Sequence, residues 1–149
     1  MKTIIFDLDG TIADIEHRRH WLDKDKHPEL NSDARWRAFY AACVEDLPNV
    51  PVIAMLRLLR HCYKIAIFSA RSSEVREQTE KWLLDNNITY DFFRMRDAGN
   101  HTQDRELKAQ WLAEYGKENV FLVFDDRSSV VEMWRKQGLP CFQVAQGDF

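Results

Sequence analysis

The chain has 149 residues, of which 45% are hydrophobic and 30% are charged, and its formal net charge is −3. This composition is typical of one globular domain with a sizeable core, and it excludes a globally basic field that would recruit nucleic acid. The sequence holds no apolar run of membrane-spanning length and no signal peptide, so we expect no membrane partner.

The three cysteines, Cys43, Cys62 and Cys141, show no paired C-x-x-C spacing. This pattern argues against a disulfide scaffold and against a zinc site, and it predicts a reducing, cytoplasmic compartment. The sequence carries no signal for an oligomeric state.

The first predicted element is a buried strand that leads into two carboxylates. Apolar residues from Ile4 to Phe6 are typical of a strand covered on both faces, and Asp7, Asp9 and Gly10 follow them. A divalent cation would offset the repulsion between two such neighbouring carboxylates. Since an aspartate beside a cation can attack phosphorus, Asp7 is the best nucleophile candidate and Asp9 a candidate general acid/base.

Residues 12–48 separate this strand from the next regular unit, and we interpret them as a small helical insert over the end of the strand. Glu16–Leu22 is predicted to be helical, and Asn31 is predicted to cap a second helix. Basic and aromatic side chains there could bind a nucleic-acid backbone and stack a base. The insert nevertheless holds eight acids against six Lys/Arg, and packing is the favoured role for Trp21 and Trp36.

Strands and helices alternate through the rest of the chain. The further strands are predicted at Lys64–Phe68, Asp91–Arg96, Val120–Phe124 and Cys141–Ala145. The strongest strands are apolar on both faces, which predicts a parallel sheet covered by helices on both sides. Because ligands bind at the carboxyl ends of such strands, we expect one site to gather the side chains that follow three of them: Asp7, Asp9, Ser69, Arg71, Asp125 and Asp126.

Oxygen-only ligands at this rim favour Mg²⁺, and the alternative is that the four carboxylates merely cap separate helices. The expected ligands are Asp7, Asp9, Asp125 and Asp126. The Ser69 hydroxyl would either hold a phosphoryl oxygen or cap the next helix. Lys108 would either neutralise phosphate charge or form an exposed i, i+4 pair with Asp104, and the spacing leaves both open.

The segment Asp7-Leu8-Asp9-Gly10-Thr11 resembles the first motif of the haloacid dehalogenase-like phosphohydrolases. Ser69, Lys108 and Asp125-Asp126 fall at the superfamily's later motifs, so the resemblance spans the chain. It implies a Rossmann-like three-layer α/β sandwich with a parallel sheet in the order 5-4-1-2-3, Mg²⁺ as cofactor and an aspartyl-phosphate intermediate. It also implies one domain, residues 1–149, with a core of 1–11 and 49–149 and a cap of about 12–48.

A closer resemblance lies at the C-terminus, where Phe124–Arg127, Val130–Arg135 and Gln143–Phe149 look like the 3′-phosphatase domain of phage polynucleotide kinase/phosphatase. The kinase's G-x-x-x-x-G-K-[ST] loop does not occur in this sequence. The resemblance implies that Asp7, Asp9 and Lys108 are catalytic. It further implies a set of substrate contacts: Thr11, Arg18, Ser69, Arg71 and Asp104.

The leading hypothesis is a Mg²⁺-dependent phosphomonoesterase that removes a terminal 3′-phosphate from nucleic acid. The alternative enzyme is a phosphatase for free nucleotides or other small phosphate esters. A hypothesis of another class is a non-catalytic nucleic-acid-binding module. The paired Asp7 and Asp9 argue against the last, because binding alone does not require two adjacent carboxylates.

Overall fold

The computed structural model describes residues 1–149 throughout. The strands are β1 (Thr3–Phe6), β2 (Ala13–Asp14), β3 (Leu47–Pro48), β4 (Lys64–Ser72), β5 (Phe92–Arg96), β6 (Val120–Asp125) and β7 (Cys141–Gln143). The α-helices are α1 (Ser32–Ala41), α2 (Val50–Leu59), α3 (Arg76–Asp85), α4 (Asp104–Tyr115) and α5 (Ser128–Lys136). Short 3₁₀ helices cover Glu16–Leu22, Ala42–Glu45, Ser73–Val75 and Lys117–Asn119.

Five of the strands form one parallel sheet in the spatial order β5-β4-β1-β6-β7. When these five strands alone are numbered along the chain, this order is 5-4-1-2-3 from the opposite edge. The predicted Rossmann-like sandwich and its strand order are therefore confirmed. The central position of β1 puts its carboxyl end beside those of β4 and β6.

The sheet is covered on both faces because β1 is apolar on both faces. Ile4, Ile5 and Phe6 are fully buried. Ile4 and Phe6 belong to a cluster of 20 buried residues that includes side chains of α2 and α3. Ile5 points the other way, into a cluster of 13 that includes side chains of α4 and α5. This alternation is the period of two that a strand imposes.

The insert, residues 12–48, is helical as predicted, although its first helix is 3₁₀ rather than α. The Asn31 side chain accepts a hydrogen bond from the backbone N–H of Ala34 at 2.8 Å, so the predicted cap is confirmed. The strands β2 and β3 lie near the two ends of the insert, and their antiparallel pairing brings those ends together. Phe39 and Cys43 from the insert lie in the same apolar cluster of 20 residues as the helices that cover the sheet.

The strand β4 extends beyond the predicted end at Phe68 and continues to Ser72. Its register with β5 shifts between Ser69 and Ser72, so the strand bulges there. Bulges near sites re-aim side chains, and this one lies at Arg71. The prediction missed the extension because the apolar pattern stops at Phe68. The last strand, in contrast, ends at Gln143, earlier than predicted.

The helices of this fold are short, and none combines the length and apolar character needed to cross a membrane. The longest, α4, has 12 residues. Cys43, Cys62 and Cys141 are all free thiols.

The helix α2 offers a matched test of the core. Leu56 is fully buried, whereas Leu58, two residues along, is 67% exposed. We expect Leu56→Ala to lower the free energy of unfolding by about 2–5 kcal/mol, because it leaves a cavity between the helix and the sheet. Leu58→Ala should change it by less than about 0.5 kcal/mol. Urea unfolding measures both, and equal losses would contradict this packing of α2.

Candidate active site

Polar side chains from separate segments line one cavity of about 1100 Å³ at the carboxyl ends of β1, β4 and β6. The predicted site residues that line it are Asp7, Asp9, Arg71, Asp104, Lys108, Asp125 and Asp126. The insert supplies another wall through α1. The expected convergence of three strand ends therefore takes place at a single cavity.

Lys108 lies between two carboxylates at the floor of the cavity. Its Nζ donates to Asp7 Oδ1 at 2.8 Å and to Asp125 Oδ2 at 3.1 Å, and the residue is 2% exposed. Burial acts to lower the pKa of Lys108, but the charges of Asp125 and Asp7 outweigh it and raise the pKa above its ordinary value. The interpretation of Lys108 as half of an exposed pair with Asp104 is therefore wrong.

The carboxylates of Asp7, Asp125 and Asp126 form a tight cluster. One oxygen of each lies within 4.8 Å of the others, and all three residues are buried. Burial, and then the charge of Asp125, raise the pKa of Asp7 well above its ordinary range despite Lys108. Burial is also the main cause that raises the pKa of Asp126 to about 6. Three buried oxygens that repel one another are a donor set suited to a hard divalent cation.

The turn after β1 allows this cluster to close. Gly10 has φ +82°, and a Cβ at this position would overlap the carboxylate of Asp126. The backbone N–H groups of Thr11, Ile12 and Ala13 all donate to the carbonyl of Leu8, which makes the turn compact. A glycine is required here both for the positive φ and for the close approach.

The carboxylate of Asp9 lies outside this cluster and faces two arginines. Arg18 Nη2 donates to Asp9 Oδ1 at 2.9 Å, and Arg71 Nη2 donates to the same oxygen. Burial by itself would raise the pKa of Asp9, but Arg71 and Arg18 together hold it below its ordinary value. The structure thus brings together three of the four carboxylates predicted as metal ligands, and the two arginines hold the fourth apart from them.

Asp46, which no sequence pattern singles out, binds the same two arginines. It accepts from Arg18 Nε and Nη2 at 2.8 Å and from Arg71 Nη2 at 3.1 Å, and its side chain is fully buried. His17 Nε2 also lies 2.7 Å from Asp46 Oδ1. The result is a buried network in which Asp9 and Asp46 share the two guanidinium groups.

Three of the predicted substrate contacts lie behind the cavity lining. Thr11 is fully buried and its Oγ1 donates to Asp7 Oδ2 at 2.9 Å. Arg18 is also fully buried, and Ser69 is 1% exposed with its Oγ accepting from the backbone N–H of Arg71 at 3.1 Å. Each of these side chains therefore contacts a lining residue. The prediction of direct substrate contact by Arg18 conflicts with a guanidinium enclosed by protein.

Asp104 pairs with arginines rather than with Lys108. Its Oδ1 accepts from Arg96 Nη2 at 2.7 Å and its Oδ2 from Arg127 Nη1 at 2.8 Å. Arg96 donates in addition to the backbone carbonyls of Ala70, Asn100 and Thr102. These bonds fix the loop 97–103, which forms part of the cavity wall.

A family model for the phosphatase domain of polynucleotide kinase PNKP matches residues 1–149. The chain belongs to this phosphatase family. It is therefore a haloacid dehalogenase-like phosphatase, that is, a phosphoric monoester hydrolase, and the resemblance seen in the sequence is confirmed.

Several known proteins are similar to this PNKP-type phosphatase. A protein of Autographa californica nuclear polyhedrosis virus, named "Putative bifunctional polynucleotide kinase/RNA ligase", is 29% identical over 145 residues, which are 93% of this chain and 18% of that protein. A chain in the structure of the Pnkp1/Rnl/Hen1 RNA repair complex is 33% identical with a TM-score of 0.82, over 100% of this chain and 44% of that one. The phosphatase thus spans less than half of either relative.

More distant structures share the fold alone. A haloacid dehalogenase-like hydrolase from Streptococcus pneumoniae has a TM-score of 0.67 at 15% identity, over 96% of this chain and 84% of that one.

The Gly10 turn generates a prediction with an internal control. Gly10 and Gly138 have φ values of +82° and +87°, but only Gly10 has a neighbour within reach of an added Cβ. Alanine at either position should cost about 1–2 kcal/mol of stability through backbone strain. Only Gly10→Ala should also remove phosphatase activity, because it displaces the Asp126 carboxylate. Thermal melts and hydrolysis of p-nitrophenyl phosphate measure the two effects, and full activity in Gly10→Ala would contradict the assigned cluster.

Proposed function

We propose that this chain is a Mg²⁺-dependent phosphatase that removes a terminal 3′-phosphate from nucleic acid through an aspartyl-phosphate intermediate. The observation that carries the proposal is the arrangement at the cavity floor, where Lys108 bridges Asp7 and Asp125 beside Asp126. A binding module gains nothing from burying these charges, whereas phosphoryl transfer requires an anionic nucleophile, a cation site and a fixed positive charge together.

Asp7 is the proposed nucleophile. One of its oxygens accepts from Lys108 and the other from the Thr11 hydroxyl at 2.9 Å, so the carboxylate is held in a single orientation. We assign to Lys108 the stabilisation of charge on the transferring phosphoryl group. Arg71, at the end of β4, lines the cavity and is the further group we assign to positioning its oxygens. Ser69 supports it from behind the lining, since its Oγ accepts from the Arg71 backbone N–H. In-line attack by an Asp7 oxygen forms a new bond to phosphorus as the bond between phosphorus and the sugar oxygen breaks, and that oxygen leaves as a hydroxyl with a proton from Asp9.

The carboxylates of Asp7, Asp125 and Asp126 fit Mg²⁺, and we propose that they hold it. Their oxygens lie close enough to share one ion. Burial, and then the charge of Asp125, raise the pKa values of Asp7 and Asp126, and a bound cation would offset both effects. When bound, Mg²⁺ supplies positive charge that shields the attacking carboxylate and polarises the phosphoryl group.

Asp9 is the proposed general acid and base, with Arg18 and Asp46 as positioning residues. The lowered pKa of Asp9 belongs to the substrate-free site, where Arg71 and Arg18 favour the ionised form. A phosphate dianion beside Asp9 raises its pKa again through like-charge repulsion. Asp9 can then protonate the departing sugar oxygen, and afterwards take a proton from the water that hydrolyses the intermediate.

The choice of nucleic acid as substrate rests on the family to which the chain belongs and on the size of the cavity. The family is that of polynucleotide kinase phosphatase domains, and the relatives' names refer to polynucleotide kinase and to RNA repair. The cavity of about 1100 Å³ exceeds the roughly 300–1,000 Å³ of a typical small-molecule site, so it accommodates more than a phosphate group.

We further propose that residues 1–149 form one phosphatase domain with a core of 1–11 and 49–149 and a cap of 12–48. The apolar cluster shared between cap and core supports this, as do the buried ion pairs that Arg18 and Asp46 of the cap make with Asp9 and Arg71 of the core.

A substrate panel with Mg²⁺ tests the proposal. The substrates are a single-stranded oligonucleotide with a 3′-phosphate, the same oligonucleotide with a 5′-phosphate, a nucleoside 3′-monophosphate and p-nitrophenyl phosphate. We expect the highest kcat/KM with the 3′-phosphorylated oligonucleotide. Turnover of the monomers alone would instead identify a phosphatase for small esters, and no release from any ester would favour a binding module.

Asp7→Asn separates chemistry from folding. It should lower kcat by more than about 10³-fold, because the nucleophile is lost. The same change should leave the melting temperature unchanged or raise it, because burial and Asp125 already disfavour the charge at this position. Asp14→Asn is the control, since it alters an exposed carboxylate of the same loop region and should change neither quantity. Phosphate release that survives Asp7→Asn would contradict the mechanism.

Mg²⁺ should stabilise the folded protein by mass action. At 100 times its Kd, an ion that binds only the folded state adds about 2.7 kcal/mol to the free energy of unfolding. We expect Mg²⁺ to raise the melting temperature of the wild type and of Asp33→Asn, which changes an exposed residue elsewhere on the cavity wall. Asp126→Asn should show little of this rise. An equal rise in all three proteins would place the ion elsewhere.

A further inference from the structure

The cavity wall formed by α1 presents an aromatic side chain that packing does not account for. Trp36 lines the cavity and is 44% exposed. Its ring contacts Phe39 edge-on at 5.6 Å between centroids and lies 5.6 Å from Tyr40. Trp21, by contrast, stacks on His27 at 4.5 Å and is not part of the cavity wall. The packing role favoured from the sequence therefore accounts for Trp21, whereas Trp36 packs with one part of its ring and leaves the rest exposed on the cavity wall.

Two arginines of the cavity wall are exposed and have no partner. Arg37 belongs to α1 of the cap and Arg105 to α4 of the core, so they stand on elements from different walls. The side chain of neither residue makes a hydrogen bond or an ion pair in the structure. The neighbouring arginines differ, because Arg96 and Arg127 both pair with Asp104. Arg37 and Arg105 thus have charges available for a ligand.

We propose that the cavity mouth is a subsite for single-stranded nucleic acid, in which Trp36 stacks a base and Arg37 and Arg105 bind backbone phosphates. Proteins that hold single strands combine an aromatic platform with a cationic groove in this way. The inference rests on the proposed nucleic-acid phosphatase and deepens it. The nucleotides next to the terminal phosphate are then the part of the substrate that this chain selects.

The alternatives fit the wall less well. A small phosphate ester needs only the floor of the cavity, and leaves an exposed indole and two unpaired guanidinium groups without a role. The location of these groups on the same cavity as Asp7 places them where the rest of a 3′-terminal substrate must pass. Every base has an aromatic face, so base stacking tolerates any sequence. The subsite should therefore distinguish single-stranded from double-stranded nucleic acid but not one sequence from another.

Steady-state kinetics on substrates of increasing length test the subsite. The substrates are p-nitrophenyl phosphate, a nucleoside 3′-monophosphate, a 3′-phosphorylated dinucleotide, a 3′-phosphorylated single-stranded pentanucleotide, and that pentanucleotide paired in a blunt duplex. For the wild type, kcat/KM should rise from monomer to pentanucleotide and fall for the duplex. Trp36→Ala should lower kcat/KM for the pentanucleotide by about 5- to 150-fold, mainly through KM. It should leave p-nitrophenyl phosphate turnover unchanged, and Trp36→Phe should keep most of the length preference.

Matched variants control for general effects of each change. Phe121 is also 44% exposed but lies outside the cavity wall, so Phe121→Ala should leave the length preference intact. Arg37→Ala and Arg105→Ala should each reduce the slope of log KM against log salt by about 0.7 for the pentanucleotide. Lys24→Ala removes an exposed charge of the cap outside the cavity wall and should not change that slope.

The outcomes separate this inference from the proposed function. A wild type that prefers the pentanucleotide, with a Trp36→Ala variant that keeps the whole preference, would overturn the subsite and leave the 3′-phosphatase standing. A wild type that hydrolyses p-nitrophenyl phosphate but gains nothing from added nucleotides would overturn the proposed substrate itself. Equal losses for p-nitrophenyl phosphate and pentanucleotide in Trp36→Ala would assign Trp36 to packing and also overturn the subsite.

Discussion

The structure depends on one electrostatic constraint, the burial of like charges at the ends of two adjacent strands. Because β1 and β6 pair in parallel, Asp7 and Asp125 must lie side by side, and the backbone N–H of Asp7 donates to the carbonyl of Phe124 at 2.9 Å. The two carboxylates cannot both remain ionised there without a compensating charge. Lys108 meets that need from a third element, the helix α4, and its Nζ binds both carboxylates.

A second network of charges joins the insert, residues 12–48, to the rest of the chain. Asp46 and Arg18 come from the insert, whereas Asp9 follows the strand β1 and Arg71 lies in β4, and the four side chains bind one another in a buried site. Removing any one of them would leave the network with an excess charge in a buried site, which is costly. The orientation of Asp9 is therefore set in part by residues of the insert, which line and support the same cavity as the strand ends.

The parts of this arrangement that follow local rules could be predicted from the sequence. The buried strands show as apolar runs, and parallel topology brings their carboxyl ends together, so the position of Asp125 beside Asp7 was predictable. The burial of Lys108 was not, because its spacing from Asp104 fits an exposed pair equally well. Asp46 gave no signal at all, since a carboxylate is recognised as buried only once its arginine partners are known to fold around it.

The floor and the mouth of the cavity differ in how well they tolerate amino-acid substitution. At the floor every charge is balanced by another, so substituting Asp7 or Lys108 alters the ionisation of the remaining groups as well as the chemistry. At the mouth, Trp36, Arg37 and Arg105 are exposed. Neither arginine side chain has a protein partner, so removing it leaves no carboxylate without a compensating charge. Substitutions there cost the fold little. Substitutions in the wall, mainly in the helix α1 of the insert, therefore change what the cavity can accommodate while leaving the charges of its floor in place.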